Sequence, residues 1–107
     1  MINTLKNLLG FGPKVDLAEL VKNGAVVVDV RTKGEYAGGH VNGSLNIPLD
    51  QLKSNLKKFK SKEQVIITCC ASGMRSASAK SVLKSAGYSN VHNGGSWYKV
   101  QNKITTV

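Results

Sequence analysis

The chain has 107 residues, 41% of them hydrophobic, which bounds it to one compact domain with one core. Fifteen Lys and Arg against six Asp and Glu give a net charge of +9. That charge favours anionic partners, and with few aromatics and no nucleic-acid motif a small anion fits better than nucleic acid.

No apolar run approaches the length of a membrane span. The opening stretch MINTLKNLLGFG lacks the charged start, apolar centre and cleavage site of a secretory signal. The expected location is therefore cytoplasmic, with no membrane partner. Ile2, Leu5, Leu8 and Leu9 fall on one side of a short helix within an N-terminal extension over residues 1–12. The main domain is expected over residues 13–107.

Asp16 reads as an N-cap for a helix carrying Leu17, Leu20 and Val21, which Gly24 ends. Ala25 to Val30 is a β-branched run without polar alternation. It predicts a strand buried on both faces, as in a parallel sheet covered by helices. Asp29 and Arg31 stand at its end, where such sheets place functional groups. An ion pair of Arg31 with Asp29 or Glu35 is the structural alternative. Thr32 caps a short helix through Tyr36, and Gly38-Gly39 stops it. His40 beside these glycines is expected to pin a loop rather than act as a base. Ser44 to Ile47 predicts a short strand closed by Pro48.

Leu49, Leu52, Leu56 and Phe59 form the buried stripe of a helix, and the lysines between them form its solvated face. Val65 to Cys69 is the second buried strand. After a small loop, Ala79, Val82, Leu83 and Ala86 repeat at helical spacing, closed by Gly87. Val91-His92 predicts a further strand, then Asn93-Gly94-Gly95, then a last helix with Trp97 and Val100. Strands and helices alternate, so the class is α/β with a mainly parallel sheet.

The chemistry concentrates in VIITCCASGMRS, residues 65–76. A strand, a tight loop and a helix start make an anion site, and a thiol in such a site is a nucleophile candidate. Cys69 and Cys70 are too close to staple a fold, since neighbouring Cα atoms lie about 3.8 Å apart. His40 and His92 have no ligand spacing to them, so no metal site is expected. With the next helix starting near Arg75 or Ser76, the amides of Ala71, Ser72, Gly73, Met74, Arg75 and Ser76 converge above Cys70. Gly73 allows the tight curl, and Arg75 adds a permanent charge.

A free thiol is only a few per cent thiolate at neutral pH. Lowering its pKa by about two units takes about 2.7 kcal/mol. A helix dipole supplies about 0.3–1 kcal/mol. Charge-assisted hydrogen bonds of about 1.5–3 kcal/mol each must supply most of the rest, and the loop amides are their plentiful source here.

CASGMRS resembles the active-site loop of the rhodanese family, written C-x-x-G-x-R-S. The resemblance covers roughly residues 13–104. Asp29-Val30-Arg31, Glu35-Tyr36, Gly39-His40-Val41, Gly43-Ser44, Asn46-Ile47-Pro48 and Gly94-Gly95 stand where that family has D-V-R, E-[YF], G-H-I, G-A, N-I-P and a late double glycine. The resemblance implies a rhodanese-like α/β domain with a five-stranded sheet between helices. It implies a sulfurtransferase without a cofactor, with Cys70 as nucleophile and a Cys70 persulfide as intermediate. The persulfide would be cradled by residues Ala71 to Ser76. Asp29 and Arg31 would support the loop from behind. The donor would be thiosulfate or another sulfane anion, and the acceptor cyanide, a thiol or a protein. A monomer or weak dimer is expected. Two departures stand out. Trp97 lies two residues after Gly95 where the family often has four, and Arg75 is the only charge in the loop, which points to a persulfide or protein donor.

Two other readings compete. Cys69 to Arg75 satisfies the C-x5-R spacing of phosphatases and arsenate reductases. Gly73 decides for Cys70, because from there glycine and arginine fall in the sulfurtransferase register. A persulfide carrier serving a partner protein would need the same Cys70 loop.

Overall fold

The computed structural model describes residues 15–105. The expected helix at Ile2–Leu9 and the rest of the 1–12 extension lie outside them. Helix α1 is Leu17–Lys22, capped by the Asp16 carboxylate accepting the Glu19 amide. Strand β1 is Val26–Asp29 and helix α2 is Lys33–Ala37. Thr32 and Glu35 form a reciprocal capping box at the start of α2. Strand β2 is Leu45–Asn46, β3 is Ile66–Cys70 and β4 is Val91–Ser96. Helix α3 is Met74–Ser85 and α4 is Trp97–Thr105.

The strands pair in the order β2-β1-β3-β4, all parallel. The chain visits β1, steps outward to β2, then crosses back to β3. The switch point therefore falls between β1 and β3, whose C-terminal ends hold Asp29 and Cys70. Among the described residues the sheet has four strands rather than the expected five.

Burial on both faces follows from the apolar strands. One face holds Val28, Val30, Ile66 and Cys70 against Leu52, Ala79 and Leu83. The other holds Val27, Ile67 and Cys69 against Leu17, Val41 and Val100. The expected stripe holds: Leu52 and Phe59 are buried, while Leu49 and Leu56 are partly buried against the same core. The segment Leu49–Lys58 is a 3₁₀ helix, however, with a break at Asn55 (φ −123°, ψ 22°). It follows Pro48 directly and has no side-chain cap.

The ends of β3 and β4 differ from expectation in a way that matters for the site. β3 continues through Cys70, which pairs with Ser96 after a register shift beyond Thr68. β4 runs through both glycines. Gly94 sits where a Cβ would lie 2.7 Å from Val100 Cγ2 and 2.9 Å from Ile67 Cγ2. Only a residue without a side chain lets β4 and α4 approach β3 this closely.

Candidate active site

The alternation of side chains along a strand separates the two adjacent cysteines. Cys69 packs into the α1 and α4 side of the sheet, and Cys70 into the α3 side. Both are free thiols. Burial pushes the Cys69 thiol up to about 12, with the nearby Asp29 carboxylate adding to the effect. A C-x5-R site built on Cys69 would need that thiol on the side of the loop, and it faces the other way.

Cys70 ends β3 directly beneath the start of α3. Gly73 (φ +110°) turns the chain, and α3 begins at Met74, one residue before the expected start. The Gly73 amide donates to Cys70 Sγ at 3.0 Å and the Ser76 amide at 3.4 Å. Ser76 Oγ lies 3.6 Å from the sulfur. Burial of Cys70 opposes ionisation. The contact with the Ser76 hydroxyl and hydrogen bonds from the Ser76, Gly73 and Ser72 amides outweigh it, so the thiol sits below its ordinary value. Of the six amides expected to converge above the sulfur, those of Gly73 and Ser76 donate to it at hydrogen-bond distance, and the Ser76 hydroxyl adds a contact that the loop amides alone do not supply.

The loop residues divide by exposure. Ser76 is fully buried, Gly73 and Arg75 are half-buried, and Ala71, Ser72 and Met74 are exposed. Arg75 does not reach back over the sulfur through any hydrogen bond. Its guanidinium takes the Glu35 carboxylate at both oxygens, 2.7 and 2.9 Å. That pairing holds the Glu35 carboxyl down to about 2, with the Thr32 amide helping.

Asp29 and Arg31 form the buried ion pair. Arg31 Nη2 lies 2.7 Å from Asp29 Oδ2, and its Nε donates to both carboxylate oxygens at 3.0 Å. Arg31 also donates to the Gly39 carbonyl at 2.6 Å and the Glu35 carbonyl at 3.3 Å. Its guanidinium lies 5.0 Å from the centroid of the Trp97 ring. These contacts hold the backbone of α2, from which the Glu35 side chain reaches Arg75. Asn46 Nδ2 completes the support by donating to the Asp29 and Arg31 carbonyls, each at 3.0 Å.

His40 is a loop pin, as expected. Its Nδ1 lies 2.7 Å from the Tyr36 carbonyl and its ring stacks on Tyr36 at 3.7 Å. Asn93 was not expected at the site, yet its Oδ1 is 2.6 Å from Ser76 Oγ. Its place just before Gly94-Gly95 reads locally as a turn, and only the β4 pairing brings it to the loop. No group of metal-ligating side chains occurs among the described residues. No helix among them is long and apolar enough to cross a membrane.

A parallel α/β sheet with a thiol at the end of a central strand, held under a helix start by backbone amides, defines a cysteine-loop α/β domain. The chain belongs to the rhodanese family: the Rhodanese-like domain model matches residues 14–103. It is 35% identical over 69 residues to thiosulfate sulfurtransferase PspE of Escherichia coli strain K12, covering 64% of this chain and 66% of that one. It is 30% identical over 104 residues to the Homo sapiens thiosulfate:glutathione sulfurtransferase, covering 81% and 90%. The solved human single-domain sulfurtransferase TSTD1 superposes with a TM-score of 0.72 at 28% identity, covering 86% of this chain and 97% of that one. The chain spans between 54% and 66% of the length of several other curated relatives, PspE included.

Proposed function

We propose that this chain is a sulfurtransferase that works through a persulfide on Cys70. The observation that carries the reading is the Cys70 sulfur held by the Gly73 and Ser76 amides, while Cys69 lies on the opposite face. The Cys70 thiolate attacks the outer sulfur of a sulfane donor. With thiosulfate, the new Cys70 S–S bond forms as the donor S–S bond breaks, and sulfite leaves with the electron pair. The persulfide carries one negative charge on its outer sulfur, which the amides of the loop stabilise. An acceptor nucleophile, cyanide or a thiolate, then attacks that outer sulfur. The electron pair of the broken bond returns to Cys70 as thiolate, giving thiocyanate or an acceptor persulfide.

One observation bears on the donor. Arg75 is the single charge of the loop, and Glu35 engages it at both oxygens. The loop thus offers thiosulfate mainly amides, which favours a persulfide donor, small or carried on a protein, over thiosulfate. The relatives named for thiosulfate and for glutathione bracket the chemistry to be tried.

The test is intact mass after incubation with thiosulfate or a glutathione persulfide, followed by cyanide. Gain of one sulfur atom on Cys70, then its loss with thiocyanate release, is expected. Phosphate release from an aryl phosphate without sulfur gain would sink the reading.

A further inference from the structure

Asn93 lies on β4, and as a residue it is exposed. Its side-chain amide nevertheless turns onto the cysteine loop. Oδ1 accepts the Ser76 hydroxyl at 2.6 Å and the Gly95 amide at 3.0 Å, and Nδ2 donates to the Gly73 carbonyl at 3.4 Å. These partners fix the orientation of the amide. Flipped, it would set donor against the Gly95 N–H and acceptor against the Gly73 carbonyl.

Ser76 Oγ carries a single hydrogen. Three acceptors surround it: Asn93 Oδ1 at 2.6 Å, the Gly73 carbonyl at 3.0 Å and Cys70 Sγ at 3.6 Å. The Gly73 carbonyl already accepts the Ala77 amide and Asn93 Nδ2. The hydrogen therefore goes to Asn93, along the shortest of the three. With Cys70 protonated, the result is a continuous chain in which the thiol donates to Ser76 and Ser76 donates to Asn93. Once the thiol proton leaves to solvent, the sulfur anion faces an oxygen lone pair. The hydroxyl relieves this only by turning from Asn93 to the sulfur, which breaks its best hydrogen bond.

We propose that Asn93 is a positioning residue for Cys70 that acts through Ser76. It holds the Ser76 hydrogen away from the sulfur and so restrains formation of the anion that the loop amides favour. The inference rests on Cys70 being the nucleophile. Other charged and titratable groups around the thiol are Arg75 of α3, paired with Glu35 of α2, and Cys69, Asp29 and Arg31 behind β3. On β4 the neighbouring His92 lies within reach of Lys80 and Lys84 of α3. Replacing Asn93 by alanine alters none of these charges.

The test is the pH dependence of Cys70 alkylation by iodoacetamide on the whole chain, with the modified cysteine located by peptide mass. Asn93→Ala frees the Ser76 hydroxyl. Its profile is expected to move toward acid by about half a unit to one unit, which raises the rate below the midpoint about threefold to tenfold. Asn93→Asp supplies a charged acceptor and moves the profile toward alkali. In a Ser76→Ala background, Asn93→Ala leaves the midpoint where it was. An Asn93→Ala midpoint that stays put or moves toward alkali overturns the proposal, and so does an acid shift that survives in Ser76→Ala. If Ser76→Ala does not fold, the opposite signs of the two Asn93 variants decide alone. Thiosulfate and persulfide loading of the wild-type chain, followed by intact mass, is read separately. Its failure would count against sulfur transfer while the alkylation profiles still judge Asn93.

Discussion

Glu35 and Arg75 lie forty positions apart in the sequence and meet beside the cysteine loop, carboxylate to guanidinium through two short hydrogen bonds. The pair takes the loop's single side-chain charge out of direct service to the sulfur. Glu35→Gln removes the competing charge while a glutamine at that position still completes the capping box with Thr32. Steady-state kinetics with thiosulfate are expected to show KM falling about twofold to fivefold, with little change in kcat. A rise in KM would mean that Glu35 serves the donor by aiming Arg75.

The same pair predicts a pH dependence. The Glu35 carboxyl is held down to about 2 from an ordinary 4.5. Its pairing is therefore complete above about pH 4.5 and is lost only as pH falls through about 2. Carboxyl titration followed by NMR is expected to show Glu35 as the last glutamate to protonate.

The two cysteines are expected to give opposite outcomes: Cys70→Ala should abolish sulfur gain in intact mass, and Cys69→Ala should leave much of it. Cys69 also carries an alkaline signature. Its folded-state value of about 12 lies above the ordinary 9.0, so the folded state favours the neutral thiol. Stability from this group is present below pH 9 and is lost as pH climbs toward 12. Urea midpoints measured across that range should fall less steeply in Cys69→Val than in the wild type.

Asp29 and Arg31 are buried and satisfied by each other. Removing one partner strands the other charge in the interior, which costs about 3–5 kcal/mol. Urea unfolding of Arg31→Met is expected to show a loss in that range. Kinetics of the surviving folded fraction report whether the Glu35–Arg75 pair is lost as well.

Gly94→Ala is expected to destabilise by about 1–3 kcal/mol, because the new methyl meets Val100, Ile67 and the Thr68 carbonyl. Thermal melting reads the loss directly. An unchanged melting temperature would mean that β4 and α4 can separate without cost.

Much of the fold is legible in the sequence because its strands are short apolar runs with clear caps between them. Val26–Asp29 and Ile66–Cys70 fall where unbroken β-branched and apolar residues indicate strands. Asp16 and Thr32 cap their helices as their residue types imply. Leu49–Lys58 misleads because its i, i+3, i+7 apolar spacing is that of an α-helix, whereas the segment meets the core with 3₁₀ turns broken at Asn55. Cys70 and its loop are legible through the spacing to Gly73 and Arg75. The partners of the loop are not: Glu35 reaches Arg75 across forty positions, and Asn93 reaches Ser76 across seventeen. Such contacts are set by strand order, which local pattern does not encode.

The placement of Cys69 and Cys70 on opposite faces also governs how oxidation can proceed. A sulfenic acid formed at Cys70 finds no resolving thiol among the described residues, because Cys69 is walled off by the sheet. Such a lesion can be undone only by a thiol arriving from outside, or it advances to an irreversible acid. The fold thus makes the recovery of the oxidised centre depend on the surrounding thiol supply.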